Sequence, residues 1–338
     1  MDIFKWQIVR CLLCILVFWE NAVINRGFMK GNYMKVTLKN KKRDILYNKN
    51  NSTTLLRYNG EVSFLQFSEL DKLPFVRHGF STREGGVSTG DLGTMNLSYT
   101  RGDNPDFVDE NFERICKALD MDTAHLVLSN QVHETIVERV SKSDCQGEDL
   151  REKKLLGIDG LVTNEKEVIL CTSYADCVPL YFVDKKNKAI GHSHSGWRGT
   201  VGKMGAETLV KMKNEFGTNP RDVIAVIGPS ICQECYEVSE DVYLAFSNFV
   251  SCAKIAERQG CSLEEVQRML EAVFVEKANK KYQLDLWMAN KLILMEAGIP
   301  ETQISVSCVC TCCNKDLLFS HRATNGKRGN LCGFLELV

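Results

Sequence analysis

The sequence predicts an α+β fold, with helices flanking mixed β-sheets in a single compact domain. Three observations predict it. Short β-branched runs and helical periodicities interleave along the chain without a regular βαβ repeat. Only six prolines occur in 338 residues, so no proline-rich hinge divides the chain. Hydrophobic residues at 44% and charged residues at 25% supply the material for an ordinary globular core.

Strands are expected at 126–128, 135–140, 160–163, 168–172, 179–183 and 223–227, each a short apolar run rich in β-branched residues. Helical periodicity covers 108–119, 203–216 and 285–297, the last closing at Gly298 with Pro300 just beyond. The stretch 239–281 reads as largely helical, with Ser262 and Glu265 forming a capping box.

The ends divide as follows. Residues 1–33 form an extension in which Lys5 and Arg10 precede an apolar run at 11–19, imitating the start of a signal peptide. That run falls well short of the roughly 20 apolar residues that span a bilayer, and no small-x-small cleavage pattern follows it. The extension therefore reads as an over-extended reading frame or a weak hydrophobic anchor. Residues 34–54 read as a loose, Lys- and Asn-rich lead-in, and 55–338 as the catalytic domain of a cytoplasmic protein.

Charge narrows the partner. With 42 basic against 43 acidic residues the chain has no basic footprint for nucleic acid, and a small molecule is expected instead. The 15 cysteines are odd in number and irregularly spaced, unlike a disulfide framework. Reduced thiols, a few of them used for metal or catalysis, are the better reading.

Only six histidines are present: His78, His125, His133, His192, His194 and His321. Four segments carry the residues able to do chemistry: RHGFSTREGG around His78 and Arg83, ADC at Asp176 and Cys177, GHSHSGWRG with His194 and Arg198, and FSHR with His321 and Arg322. Two imidazoles and a thiolate are the donor set of a three-ligand catalytic zinc site. His78, Cys177 and His194 are therefore the expected ligands and the expected catalytic centre. Asp176 and His133 are candidates for proton transfer, and Asp176 serves equally well as a residue that orients a ligand. Arg83, Arg198, Arg322 and His321 are the candidates for binding substrate or phosphate, since an arginine fork suits phosphate oxygens.

Two cysteine clusters, Cys232/Cys235 (CxxC) and Cys308/Cys310/Cys312/Cys313 (CxCxCC), would hold a structural zinc if they met in space. Reduced, buried thiols are the preferred reading.

HGFSTREGGVS, NLSY, QVHE, DGLVTN, ADCVPL, HSGWRGT, IGPSI, YEV and FSHR occur here in the order seen in the laccase-domain proteins. This sequence resembles that family, also called multicopper polyphenol oxidase-like or purine nucleoside phosphorylase, over about 67–334. The resemblance implies mixed sheets flanked by helices and the ligand trio His78, Cys177 and His194. It implies phosphorolysis of adenosine, inosine and S-methyl-5′-thioadenosine, together with adenosine deamination. Zinc is the expected cofactor, with copper as an alternative, and purine nucleosides and phosphate are the partners of a monomer or homodimer. Three rivals stand beside this reading: a cysteine hydrolase using Cys177 and His194, a slow copper-dependent polyphenol oxidase, and a non-catalytic binding protein. A true multicopper oxidase needs more imidazoles than six histidines supply.

Overall fold

The computed structural model describes residues 53–338, together with three short strands at Ala22–Val23, Met34–Leu38 and Ile45–Tyr47. The last two strands pair antiparallel, so the stretch expected as a loose lead-in carries β-structure. The signal-like run at 11–19 lies outside the described residues.

Two mixed sheets stacked face to face build the domain. The first has six strands in the order Ile304–Val306, Val223–Ile227, Val178–Asp184, Ala189–Ser195, Gly160–Thr163 and Val137–Arg139. The second has seven: Thr54–Asn59, Val62–Phe67, Val76–Ser81, Leu331–Leu337, Ile169–Tyr174, Leu126–Asn130 and Leu155–Leu156.

Strand periodicity explains the layering. All seven residues of Val178–Asp184 are buried. Leu180 and Phe182 point to one face while Tyr181 and Val183 point to the other, as the period of two requires. Tyr181 and Val183 meet Phe67, Phe80, Leu170 and Leu335 of the second sheet. Leu180 and Phe182 pack with Leu209 and Met212 of helix Met204–Phe216 and with Leu292 and Leu294 of helix Leu286–Ala297. The far face of the second sheet is covered by Phe112 and Ile115 of helix Pro105–Ala118. At Gly333 the two sheets approach so closely that a Cβ would lie 2.4 Å from the His192 ring. Only glycine fits there.

Local chemistry sets the helix ends. Asn104 accepts from the Asp106 N–H with Pro105 in the first turn, and Asp285 accepts from Met288 N. Gly298 closes the latter helix at φ 105°, as expected.

The stretch 239–281 departs from expectation. It holds the helices Glu240–Ala245, Cys252–Gln259 and Leu263–Glu271, but then turns to strands. Phe274–Lys277 and Lys281–Leu284 form an antiparallel hairpin that pairs with Glu237–Ser239. The reversal rests on Asn279 and Lys280, both at positive φ. Ser262 accepts from Glu265 N at 3.2 Å, which is half of the expected capping box.

Candidate metal centre

His133, Cys177 and His194 present ligand atoms that all lie within 4.8 Å of one another. The first sheet brings the latter two together. Val178 pairs with Ser195 and Pro179 with His194, so Cys177, one residue before its strand, faces the end of the partner strand. The next residue there is Gly196, where a Cβ would sit 3.1 Å from the Cys177 sulfur and 3.3 Å from the His133 ring. Glycine at this position is what lets three donors converge.

Asp159 organises the centre. Fully buried, its carboxylate accepts the N–H groups of Val132, His133 and Glu134 at 3.0–3.1 Å, which holds the loop carrying His133. The same carboxylate lies 2.9 Å from His194 Nδ1, and its backbone carbonyl accepts from His194 N at 2.8 Å. This is the carboxylate–histidine arrangement that fixes an imidazole and leaves Nε2 for a metal. Exposure falls from His133, which is open to solvent, through half-buried Cys177 to buried His194, so the group opens on the His133 side.

Electrostatics agree with the geometry. Burial alone would raise the Cys177 thiol, but the neighbouring His194 and His133 bring it down to about 6. Burial would lower His194, yet Cys177 and Asp159 raise it to about 9. Burial pushes Asp159 up, and His194 with the loop N–H groups outweighs it and holds it below the usual carboxylate value. Each sign follows from an opposite charge within contact distance. The thiolate's contribution to stability is therefore lost as pH falls through about 6, and the imidazolium's as pH rises through about 9. In chelator-treated protein, alkylation of Cys177 by iodoacetamide, followed by mass spectrometry, should rise to a plateau with a midpoint near 6. A midpoint near the ordinary thiol value of about 8.5 would refute the pairing.

His78 does not join this group. It lies on Val76–Ser81 in the second sheet, 2% exposed, where its Nε2 accepts from Phe67 N at 2.8 Å and its ring stacks on Phe67. Burial lowers it to about 3, so it stays neutral. Of the expected trio the structure brings Cys177 and His194 together, and it is His133, expected to move protons, rather than His78 that lies with them. His78→Ala should leave metal content unchanged and lower stability by about 1–3 kcal/mol in denaturant titrations, because the Phe67 N–H loses its acceptor in the core. Loss of metal at unchanged stability would contradict this assignment.

Asp176 takes a positive φ of 89° at the turn into Cys177. Its two carboxylate oxygens accept from Thr311 Oγ1 at 2.6 Å and Arg322 N at 2.7 Å, and its carbonyl accepts from Ile231 N. Of the two expected roles, this geometry fits the ligand-orienting one, with both oxygens engaged.

The arginines divide. Arg83 spends its fork on the carbonyls of Gly93 and Lys315, and Arg322 on those of Cys235 and Glu237. Arg198 lies over the Trp197 ring at 4.4 Å, exposed, its guanidinium in no hydrogen bond or ion pair among the described residues. Arg328, lowered to about 10 by burial and by neighbouring Arg101, also feels the charges of Asp176 and Cys177. Its Nε is buried without a partner among the described residues. His321, exposed and lowered by burial and Arg328, feels Asp176 as well. Sequence reasoning missed Asp159, Arg101 and Arg328. Asp159 opens the DGLVTN motif, and a lone aspartate before a glycine reads as a turn until its partner is known.

A His₂Cys set with a buried carboxylate behind one imidazole is the donor arrangement of a three-protein-ligand transition-metal centre. The donor chemistry fits one zinc-like ion, and six histidines in the whole chain do not fit a coupled copper cluster. Residues 77–338 match the family described as multi-copper polyphenol oxidoreductase laccase, and the chain belongs to that family. It is 37% identical over 261 residues to the purine nucleoside phosphorylase YlmD of Bacillus subtilis, covering 77% of this chain and 87% of the relative. It is 32% identical over 264 residues to the adenosine deaminase RL5 of an unknown prokaryotic organism, covering 75% and 93%. Among solved structures it resembles the hypothetical protein YfiH of Bacillus licheniformis, with a TM-score of 0.73 and 30% identity over 84% of this chain and 99% of that one. The α+β expectation of mixed sheets flanked by helices holds. Among the described residues, no helix is long and apolar enough to cross a membrane.

Proposed function

We propose that this protein is a zinc-dependent purine nucleoside phosphorylase that also deaminates adenosine. The observation that carries the reading is the convergence of His133, Cys177 and His194, with the Arg328 charge felt at Cys177 and the charges of Arg198 and Arg322 felt, together with that of Cys177, at Tyr236. Relatives named as a purine nucleoside phosphorylase and an adenosine deaminase support it. His133, Cys177 and His194 would hold the ion, which when bound supplies Lewis acidity toward a substrate oxygen or water.

The chain's own residues do the rest. Phosphorolysis breaks the ribose C1′–N9 bond and forms a C1′–O bond to phosphate, so an anion must be held against the sugar. Arg198, with its fork free, is suited to bind phosphate oxygens bidentately. Arg328 adds positive charge near Asp176 and Cys177, and exposed His321, which feels both Arg328 and Asp176, serves as a substrate contact. Arg83 and Arg322 act by bracing backbone carbonyls rather than by meeting phosphate. Asp176 positions Cys177 through the turn it anchors.

Arg198→Ala should raise KM for phosphate about tenfold, the equivalent of one charge-assisted hydrogen bond, with metal content unchanged. An unchanged phosphate KM would remove Arg198 from the anion site. The reading as a whole is tested by incubating metal-replete protein with adenosine, with and without phosphate, and separating the products. Adenine formed only with phosphate, and inosine formed regardless, are expected; no turnover of adenosine or inosine by folded, metal-replete protein would overturn the proposal.

One observation favours a second reading. The depressed thiol of Cys177 paired with His194 is also the arrangement of a cysteine hydrolase. Chelation separates the two, since a thiol nucleophile survives metal removal.

A further inference from the structure

Four other thiols meet where the sequence has two separate clusters. Cys232, Cys235, Cys310 and Cys313 place their sulfurs within 4.8 Å of one another. The topology explains how. Strands Val223–Ile227 and Ile304–Val306 run parallel at the edge of the first sheet, and a CxxC turn follows each of them. A bridge between Ser230 and Cys310 then ties the two turns side by side.

We propose that these four cysteines form a closed structural zinc site, separate from the His133/Cys177/His194 centre. Tetrahedral Zn–S bonds of about 2.3 Å put neighbouring sulfurs about 3.8 Å apart. The Cys235 and Cys313 sulfurs lie 3.6 Å apart, and those of Cys232 and Cys313 3.9 Å apart. None of the four cysteines is in a disulfide. The Cys310 sulfur also accepts the backbone N–H groups of Cys232 and Cys313 at 3.3 Å each. Such bonds stabilise a thiolate ligand. Cys308 and Cys312, from the same CxCxCC run, stay outside the quartet. Two CxxC turns supplying four sulfurs are the ligand pattern of a site closed to substrate.

Its place gives the site a purpose. The turn bearing Cys310 and Cys313 also carries Thr311, which bonds Asp176, and the turn bearing Cys232 and Cys235 carries Ile231, whose N–H bonds the Asp176 carbonyl. Arg322 reaches the Cys235 carbonyl and gives its own N–H to Asp176. The ion would therefore staple the two loops that grip the residue before Cys177.

The test uses the full-length protein, expressed with zinc, and counts metal by plasma mass spectrometry. Wild type should hold two zinc ions per chain and Cys177→Ala one. Cobalt-loaded Cys177→Ala should show thiolate-to-cobalt charge transfer and the intense visible bands of a tetrahedral tetrathiolate. Cys232→Ser/Cys313→Ser should lose one zinc, and that variant's folding is not needed for the cobalt result. One zinc in both wild type and Cys177→Ala, with the tetrathiolate spectrum, would sink the His₂Cys reading and leave this site standing. One zinc in wild type and none in Cys177→Ala, or alkylation of all four thiols without zinc release, or disulfides among them, would overturn the proposal.

Discussion

Cys177→Ala should lose its zinc at the His₂Cys centre and at least about a thousandfold in kcat/KM for adenosine. Such a loss corresponds to the several kcal/mol that a Lewis acid contributes to a transition state. Cys177 is the only anionic donor among the three, its thiol brought down to about 6 by the imidazoles around it. Two neutral imidazoles, one of them exposed, hold an ion far less firmly than the full set. The side chain is small and partly buried, and its removal leaves the strand pairing of Val178–Asp184 intact, so circular dichroism should match wild type. Metal counting and product chromatography on the same preparation check the result. A variant that keeps both its zinc and its activity would remove Cys177 from the centre; one that keeps zinc but loses activity would favour the nucleophile reading.

How much of this was legible in the sequence depends on the range of the interaction. Gly160–Thr163 and Val223–Ile227 were read to the residue, because a run of β-branched residues between turn signals is a local pattern. Val76–Ser81 and Leu331–Leu337 were not, although both are central in the second sheet. Val76–Ser81 carries Arg77, His78 and Gly79, and one of its two partner strands lies more than 250 positions away. Likewise Cys177 and His194 could be picked as donors from residue type, but the third member of their cluster could not. His78 and His133 are equally plausible imidazoles in one dimension. What separates them is that Phe67 N–H occupies His78, whereas Asp159 turns the loop at His133 toward the thiol. The same lesson applies to the thiols, where reduced buried cysteines were preferred. Two CxxC turns 75 residues apart reveal nothing until parallel strands set them side by side.

Asp159→Asn should weaken zinc binding at the His133/Cys177/His194 centre about 10–100-fold and destabilise the metal-free protein by about 3 kcal/mol. The amide keeps the shape of the carboxylate but not its charge. It presents one oxygen where two now serve Val132, His133, Glu134 and His194 together. Its NH₂ must then face one of those donors inside a fully buried site, leaving N–H against N–H. The effect has a defined pH signature. Asp159 sits below its ordinary value in the folded state, with His194 and the loop N–H groups outweighing burial. Its contribution to stability is therefore present above the unfolded carboxylate value of about 3.9 and lost as pH falls through the folded one. The gap in urea midpoints between wild type and Asp159→Asn should be wide at neutral pH and narrow in acid, at constant m-value. Competition against a chelating dye gives the zinc affinity independently. Wild-type affinity in a variant destabilised at all pH values would mean that Asp159 only braces the loop; weakened affinity with the acid-sensitive gap would mean that it orients His194 as a ligand.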